Sequence, residues 1–440
     1  MSPTPPPAAD GLPVLGQTVD LIRDQLGLHD AAVAEYGDVV RIRTLGVGEY
    51  CLIAHPDYVR RALVEEPDAF AKTDDFGVAF GQSVGSTEGE QWRRQRDALE
   101  EFFYPGRIRS YVDDVVRITG RRVDRWRDGD RVALRDQMDR VALENFFGAV
   151  FGRELDPDSD ETLLRAANDL NLWFEPISFA LPNWVPTPAH RRFHEAVETL
   201  RAEGEALLAE RKRGEAGDGL LSTLVELRED GEADLTDGEI VDQVTGLTFA
   251  GYETTALVLS YALYLLGTHD GVRERFHAEL DGVLGGDPPT LTAAGELTTT
   301  EGIIHETLRR FPPVFMLPRV TTRPVDLGDY RLPEGMRTHI SIWRLHRDER
   351  FWDAPDDWRP SRWRDESPAD RGCSFVPFGA GPRACLAQRF ALLEAVIALA
   401  VVGQRFRVEP LRDLELEPEM TLQPAHDLPA RVRRREPGGG

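Results

Sequence analysis

The stretch FVPFGAGPRACLAQRF, residues 375–390, constrains this chain most, because it places a cysteine directly before an apolar helix. Cys385 is one of only three cysteines in 440 residues, too few for a disulfide framework. The glycine spacing resembles the dinucleotide-binding turn G-x-G-x-x-G/A, which needs a second strand ending in an acidic residue about 20 positions later. Here the chain continues instead as the apolar run 391–402. We therefore exclude a dinucleotide site.

The position of Cys385 suits a metal ligand. Unpaired N–H groups at a helix start, and the positive end of the helix dipole, lower the pKa of a thiol. Gly379 and Gly381 permit a tight loop and let a flat ligand approach the backbone. Arg383 can meet a carboxylate on that ligand. Together these features suit a haem iron with a cysteinate axial ligand and a propionate anchor; a buried structural cysteine is the alternative.

The loop resembles the haem-binding loop of cytochrome P450 monooxygenases, F-x-x-G-x-R-x-C-x-G. This chain supplies Phe378, Gly381, Arg383 and Cys385, and it has Ala387 where the family has glycine. Alanine suits a helix better than glycine does, so the departure bears only on how closely the helix approaches the haem. The resemblance implies haem b (iron protoporphyrin IX) as the cofactor, with Cys385 as the axial ligand. The other haem-binding residues that it implies in this loop are Phe378, Gly379, Arg383 and Ala387.

A second motif, ETLRR, places Glu306 and Arg309 three apart on one helical face. Such spacings are common on solvated helices, so the pair alone carries little weight. In the family, a Glu-x-x-Arg pair joins an arginine from a later F-x-P-x-R segment. Here DDWRPSRW supplies Arg362, with Trp358 where phenylalanine is usual. The resemblance implies a buried network of these three residues that holds the haem-side scaffold, a role that suits a guanidinium.

A third motif, FAGYETTA, lies inside a long apolar segment. A charge there is costly unless it is functional or faces a polar seam. The family's central helix carries A-G-x-[DE]-T over the haem, and the matching residues are Ala250, Gly251, Glu253 and Thr254. The resemblance implies that Gly251 makes room for dioxygen and that Thr254 hydrogen-bonds it. Glu253 would relay protons, and Thr255 is the weaker substitute for Thr254.

Basic residues elsewhere match the family's contacts to the haem propionates. In QWRRQR, Trp92 and Arg96 lie four apart on one helical face and match W-x-x-x-R. Arg319, in FPPVFMLPR, occupies a further propionate position. We expect Arg93 and Arg94 to face solvent, toward an electron donor.

A possible zinc site is the pair His190 and His194, in HRRFH, which has the i, i+4 spacing of zinc ligands. No glutamate follows the first histidine and no third ligand is evident nearby. We do not expect zinc there.

The charge of the chain excludes nucleic acid as a partner, because 76 acidic and 52 basic residues give a net charge of −24. Lysine occurs only at positions 72 and 212. A GC-rich genome explains the arginine bias, and a salt-loaded cytoplasm would favour the acidity, so we expect a halophilic source. The longest charge-free part of the most apolar segment, Thr254 to His269, falls short of the roughly 20 residues of a membrane span. We expect a cytoplasmic protein without a signal peptide.

The predicted fold is mainly α with smaller β-sheets (α+β), the cytochrome P450 fold, as a single large triangular-prism-like domain over 1–440. Four prolines in EPISFALPNWVPTP (175–188) break any helix and mark a candidate lid. The expected parts are β-rich segments at about 38–55, 319–343 and 407–435, a helical core at about 88–310 and 385–405 with one long helix over roughly 237–269, and disordered tails at 1–10 and 436–440.

The resemblance predicts a monooxygenase that inserts one oxygen atom of dioxygen into a lipophilic small molecule. The stretch from ETLRRFPPVFMLPR to MTLQPAHDLPAR looks most like bacterial branches that hydroxylate carotenoids and fatty acids, and a terpenoid is also considered. We expect Ala250, Val314 and Met316 to line the substrate pocket. No flavin or iron–sulfur module fits in the remaining length, so a separate ferredoxin- or flavodoxin-type donor would dock on the cysteine side. We expect a monomer.

Two alternatives remain open: a peroxide-driven haem peroxygenase and a non-catalytic haem-binding sensor. A peroxide-driven enzyme would not need an acid–alcohol pair, so Glu253 and Thr254 count against it. A sensor would need no groove for oxygen activation.

Overall fold

A computed structural model describes residues 3–74, 77, 80–104, 106, 111–156, 161–174, 187–214 and 219–435. The candidate lid lies outside these residues except for Thr187 and Pro188, which begin a helix. The predicted C-terminal tail, 436–440, also lies outside them.

The longest helix, α10 (Asp237–Thr268), has 32 residues and crosses the core. Thr236 begins it with a capping box, in which the Thr236 hydroxyl accepts the Glu239 N–H and the Glu239 carboxylate accepts the Thr236 N–H. Every residue from Ala256 to Leu266 is buried, which explains why this part of the sequence is apolar on all sides. The predicted long helix over roughly 237–269 is confirmed.

The other helices occupy mainly the middle of the chain, between two groups of strands. No helix in the ranges given above is both long enough and apolar enough to cross a membrane. In chain order they are α1 (Thr18–Arg23), α2 (Gln25–Tyr36), α3 (Pro56–Arg60), α4 (Gly89–Phe102), α5 (Val112–Val123), α6 (Leu134–Phe146), α7 (Glu161–Asp169), α8 (Pro188–Lys212), α9 (Leu220–Glu229), α11 (Asp270–Leu284), α12 (Leu291–Ala294), α13 (Thr298–Arg310), α14 (Ile342–Leu345) and α15 (Gln388–Arg405).

Short turns of tighter or wider helix interrupt this pattern. The π-helical turns are Arg61–Glu65 and Phe147–Phe151. The 3-10 turns are Pro67–Ala69, Leu170–Phe174, Pro360–Arg364, Pro368–Ser374 and Gly381–Arg383.

The strands come from both ends of the chain and form small sheets. They are β1 (Val39–Thr44), β2 (Gly48–Ile53), β3 (Phe70–Ala71), β4 (Arg131–Ala133), β5 (Met316–Thr321), β6 (Val325–Leu327), β7 (Tyr330–Leu332), β8 (Arg337–Ser341), β9 (Phe406–Pro410), β10 (Leu416–Pro418), β11 (Leu422–Pro424) and β12 (Pro429–Arg434). One sheet has the order β1-β2-β8-β5-β3, in which only β2 and β8 are parallel. A second has the order β4-β12-β9, and β6-β7 and β10-β11 are two-stranded.

The architecture confirms the predicted α+β class, with two corrections. Strand β4 interrupts the predicted helical core, because it pairs with β12 from the distant C-terminal region. The described part of the N-terminal tail, residues 3–10, was predicted to be disordered and instead lies along the strands. Thr4 donates to the Asp329 carbonyl at 2.9 Å, and Ala9 donates to the Arg41 carbonyl at 2.9 Å. The carbonyl of Pro7 accepts the Arg41 N–H at 2.8 Å. Because proline lacks an N–H but keeps its carbonyl acceptor, a proline-rich segment can still be fixed.

Candidate functional site

The cysteine loop reverses direction in a narrow turn before α15. Gly379 and Gly381 have φ of +71° and +69°, which glycine adopts without strain. A Cβ atom on Gly381 would lie 1.9 Å from the carbonyl oxygen of Leu63, so no other residue fits there without movement of the backbone. The N–H of Cys385 donates to the carbonyl of Phe378 at 2.8 Å and closes the turn. These contacts hold the sulfur at one position in front of the helix.

The thiol of Cys385 lines a recess. Its side chain is exposed, yet protein surrounds it closely enough that burial raises its pKa above the ordinary value. The N–H of Ala387, the N-cap of α15, and the guanidinium of Arg96 act in the opposite direction. The predicted lowering by an N–H group at the helix start is therefore present, but in the protein without metal desolvation outweighs it and the net pKa of the thiol is raised. A metal that coordinates a thiol removes its proton outright.

Cationic side chains from separate elements converge near this loop. Arg383 pairs with Glu88 at 2.7 Å (Nη2 to Oε2) and donates to the carbonyl of Pro67 at 2.7 Å. Its guanidinium carbon lies 5.4 Å from the ring centre of Trp92. Lys72 Nζ lies 5.7 Å from the centre of the same ring, so two cations lie within cation–π distance of Trp92.

Lys72 was not anticipated from the sequence. Its side-chain ammonium donates to the carbonyls of Val84 and Thr87 at 2.7 and 2.9 Å. Its backbone N–H donates to the carboxylate of Glu88. Burial, together with the neighbouring arginines, lowers the pKa of Lys72 to about 7. The one available signal was its scarcity, since lysine supplies only two of the 52 basic residues.

Arg319 and Arg96 complete the group. Arg319 is 8% exposed, and among the described residues its guanidinium has a single hydrogen bond, to the carbonyl of Pro318 at 2.7 Å. Burial and the nearby charge of Arg383 lower its pKa to about 10. Arg96 donates to the carbonyl of Ala384, beside the cysteine, at 2.7 Å. It also pairs with Glu100 at 2.6 Å.

This arrangement fits a haem. Buried cations normally have paired carboxylates, whereas the three cations Lys72, Arg319 and Arg383 share Glu88 and, at 3.9 Å from Arg383, the exposed Asp68 among the described residues. A ligand with two carboxylates would supply the missing negative charge, and haem b has two propionates. The recess beside the Cys385 thiol offers the sulfur ligand that such a group requires.

In the middle of α10, one face of the helix borders open space, although most residues around it are buried. Ala250 is exposed and Thr254, four residues later, is half-buried, while their neighbours Phe249 and Thr255 are buried. The Thr254 hydroxyl donates to the carbonyl of Ala250 at 3.0 Å. The two residues therefore share one face of α10, and that face borders open space.

Gly251 lies on a different side of α10. A Cβ atom there would lie 2.2 Å from Cε2 of Phe146 in α6. Phe146 is buried, so glycine is required for the close packing of α6 against α10. Its predicted role in making room for dioxygen stays a prediction.

Glu253 is 1% exposed and points into a polar cluster. Its Oε1 accepts hydrogen bonds from Asn171 at 2.6 Å and Gln423 at 2.7 Å. Arg135 Nη2 lies 3.4 Å from the same oxygen. No local sequence pattern indicates these partners, which lie between 82 and 170 positions away. The polar-seam alternative describes the surroundings of Glu253 correctly, and the proton-relay role is compatible with them.

The predicted network of Glu306, Arg309 and Arg362 is brought together as expected. Arg309 donates to both oxygens of Glu306, at 3.0 and 2.8 Å, and to the carbonyls of His346, Pro355 and Asp357. Arg362 Nε lies 3.5 Å from Glu306 Oε2.

Two partners of this network were missed. Trp363 Nε1 donates to Glu306 at 2.9 Å, and the N–H of Arg359 donates to it at 3.0 Å. Trp358, at the position where phenylalanine is usual, is buried and donates to the Thr307 hydroxyl at 3.3 Å.

The remaining predicted residues lie in varied settings. Val314 packs with Leu317 against one core cluster, and Met316, the first residue of β5, packs against another.

His190 is buried and His194 is exposed, so the two histidines do not share one environment. The described residues contain no group of three or more metal-ligating side chains suited to an ion.

Arg93 and Arg94 differ from each other. Arg93 is exposed, as predicted. The side chain of Arg94 is 34% exposed and pairs with Glu239 at the start of α10, at 2.6 Å, and its predicted orientation toward an electron donor stays a prediction. The acidic first turn of α10 attracts it.

Comparison with known proteins covers nearly the whole chain. A family model described as Cytochrome P450 matches residues 5–429. The chain is 33% identical over 415 residues to cyclooctat-9-en-7-ol 5-monooxygenase of Streptomyces melanosporofaciens, covering 92% of this chain and 89% of that protein. It is 30% identical over 444 residues to cyclooctatin synthase of the same organism, with coverage of 96% and 95%. It is 28% identical over 447 residues to pentalenene oxygenase of Streptomyces avermitilis, with coverage of 98% for each protein.

Proposed function

This chain belongs to the cytochrome P450 family of haem b monooxygenases, and on that premise we propose that Cys385 ligates the haem iron in an enzyme that oxidises a terpenoid. The observation that carries the proposal is the exposed thiol in its recess beside buried Arg319 and half-buried Lys72 and Arg383, three cations that outnumber the carboxylates near them. When bound, haem supplies the activation of dioxygen. The protein supplies the anchoring charges, the exclusion of water and the delivery of protons.

The proposed anchoring residues would hold the iron and the propionates of the cofactor. Cys385 would offer its sulfur, and the Ala387 N–H lowers the pKa of that thiol and stabilises its anionic form. Arg319, Arg383 and Lys72 would hold the propionates. The match of positive to negative charge offsets the cost of burying these cations.

The proposed catalytic residues lie on α10. Thr254 presents a hydroxyl at the open face of the helix, and Glu253 lies buried directly before it. The carboxyl of Glu253 would supply protons and the hydroxyl of Thr254 would pass them to the oxygen site. A peroxide-driven enzyme or a sensor would have no use for this pair.

The substrate class is proposed from the relatives. Two of the similar proteins are named for cyclooctat-9-en-7-ol and pentalenene, which are terpenoids. We therefore place a terpenoid ahead of a carotenoid or a fatty acid. Ala250 is the predicted pocket residue with the most open side chain. Replacement Ala250→Phe would block binding of a terpenoid while leaving the haem in place, as measured by substrate-induced shifts of the haem spectrum.

The electron donor is proposed to be a separate acidic protein of ferredoxin or flavodoxin type. Arg93 on α4 and Arg389 in the first turn of α15 are exposed, and neither has an ion-pair partner among the described residues. These two exposed cations, one on α4 and one on the helix after Cys385, can attract an acidic partner even though the net charge of the chain is −24.

The variant Thr254→Ala tests the reaction class, with Thr255→Ala as the matched control. The Thr255 hydroxyl is buried and donates to the Gly251 carbonyl at 3.2 Å. In a monooxygenase, Thr254→Ala consumes dioxygen while forming less product, and Thr255→Ala stays close to wild type. Unchanged product yield in Thr254→Ala would favour a peroxide-driven enzyme, and absence of dioxygen consumption in the wild type would favour a sensor.

A further inference from the structure

A buried array of three charges joins α6 to α10. Arg135, near the start of α6, lies between two carboxylates, with Nη2 3.4 Å from Glu253 Oε1 and Nη1 3.0 Å from Asp139 Oδ1. The exposed fractions are 9% for Arg135, 6% for Asp139 and 1% for Glu253. One guanidinium does not neutralise two carboxylates at this depth. The array therefore favours binding one proton.

The two oxygens of Glu253 differ in their surroundings. Oε1 accepts hydrogen bonds from Asn171 and Gln423 and faces Arg135. Oε2 is buried and has no hydrogen-bond partner among the described residues. A buried acceptor without a partner is costly, and protonation at Oε2 would relieve that cost. Oε2 is therefore the atom of Glu253 at which a proton can be held.

Asp139 titrates near neutral pH. Burial raises its pKa to about 7; the charges of Glu253, Asp136 and Asp427 act in the same direction, and that of Arg135 opposes them. On the α10 side, Tyr252 and Tyr261 face the same guanidinium. They stay neutral because burial raises the pKa of both. The state of the array therefore changes with pH chiefly at Asp139.

We propose that Asp139 is a positioning residue that sets the proton affinity of Glu253 through the shared guanidinium of Arg135. When Asp139 is ionised, the Arg135 guanidinium is divided between two carboxylates and stabilises the charge of Glu253 less. When Asp139 is protonated, Arg135 interacts with Glu253 alone and stabilises that charge more. This inference rests on the proposed function, in which Glu253 supplies protons at the oxygen site.

The first test reads the array without turnover, by infrared titration of the protein. Asp139→Asn is compared with Asp136→Asn, a matched control on the same helix whose carboxylate binds Arg140. The difference spectrum between wild type and Asp139→Asn should contain the band of a protonated buried carboxyl that titrates with a midpoint near pH 7. Buried Glu394, whose pKa burial raises to about 8, should keep its own band in every variant and cancel in this difference. The control should keep the Asp139 band with a lower midpoint, because it lacks the Asp136 charge that raises the Asp139 pKa. A difference spectrum without this band would overturn the proposal.

The protonation of Asp139 should also be visible in the pH dependence of the free energy of unfolding. An acid with a raised pKa in the folded protein stabilises the fold below its ordinary pKa, and this stabilisation is lost as pH rises through about 7. The free energy of unfolding should therefore fall between pH 4 and 7 less steeply in Asp139→Asn than in Asp136→Asn. Equal slopes would contradict the proposal.

The second test uses the haem-loaded enzyme and measures product formed per dioxygen consumed as a function of pH. Wild type should show a transition near pH 7, with the higher yield above it. Asp139→Asn should lose the transition and keep the low yield throughout, and Asp139→Glu should recover the transition. A wild-type profile in Asp139→Asn, despite loss of the infrared band, would overturn the positioning role. If wild type consumes no dioxygen at all, the proposed function fails, while the infrared titration still reports Asp139 separately.

Discussion

Two buried arginines in this molecule differ in how fully their donors are used. Arg309 makes five hydrogen bonds, to both oxygens of Glu306 and to three carbonyls, which uses every N–H of a guanidinium. Arg319 is almost as buried but has one such bond among the described residues. A guanidinium satisfied within the protein is a structural element. One that is buried and left with free donors indicates a ligand that the fold is built to receive.

Arg309→Ala should produce the largest effect in this comparison. It leaves Glu306 buried without its main partner, and loss of one member of such a pair costs about 3–5 kcal/mol. The expected result is a large drop in the free energy of unfolding, with or without haem, measured by chemical denaturation. Wild-type stability in this variant would mean that the network around Glu306 is not structural.

Arg319→Leu should weaken haem retention without lowering the stability of the haem-free protein. Removing a buried cation without a partner should leave the haem-free protein at least as stable as wild type. Haem retention should weaken by about 1.5–3 kcal/mol, the value of a hydrogen bond to a charged group. The rate of haem transfer to an acceptor apoprotein measures this loss. Destabilisation of the haem-free protein with unchanged haem transfer would reverse the assignment.

Trp363→Phe should give a smaller effect on the Glu306 side. It removes the 2.9 Å bond to Glu306 and keeps most of the aromatic packing, so we expect a loss of about 1 kcal/mol in unfolding free energy. Haem retention should be unchanged. A change in haem retention without a change in stability would show that this network contacts the cofactor.

Lys72→Met should give the smallest effect, a change in how steeply the free energy of unfolding depends on pH. The pKa of Lys72 is lowered to about 7 in the folded protein, so folding disfavours its charged form. Stability of the haem-free wild type should therefore rise as pH rises from 7 toward the ordinary lysine pKa of about 10.4. Lys72→Met should lack this rise. An identical slope in both proteins would show that Lys72 is not desolvated.

Much of the fold could be predicted from local sequence. The β1–β2 hairpin, the long helix α10 and the helix after Cys385 depend on periodicity, capping and turn residues that lie within a few positions. Strand β4 could not be predicted, because it pairs with β12, which is far away in the chain. The ordered part of the N-terminal tail was missed for the same reason, since its partners are carbonyls on other strands.

Some residues of the candidate site could likewise be predicted from local sequence, and others could not. Cys385, its glycine turn and the Glu306–Arg309 pair are local patterns. Arg135 and Asp139 could not be placed near Glu253, since more than a hundred residues separate them in the chain. The raised pKa of the Cys385 thiol was missed because local sequence shows the helix start but not the desolvation.

The most direct test of the central claim, that Cys385 binds haem iron through sulfur, is the absorption spectrum of the reduced, carbon-monoxide-bound protein. Wild type supplied with hemin should give the spectrum of thiolate-ligated haem. Cys385→Ser should lose it, while Cys373→Ser, which removes a buried cysteine of the same region, should keep it. A protein that stays colourless with hemin, or a Cys385→Ser variant with the wild-type spectrum, would contradict the claim.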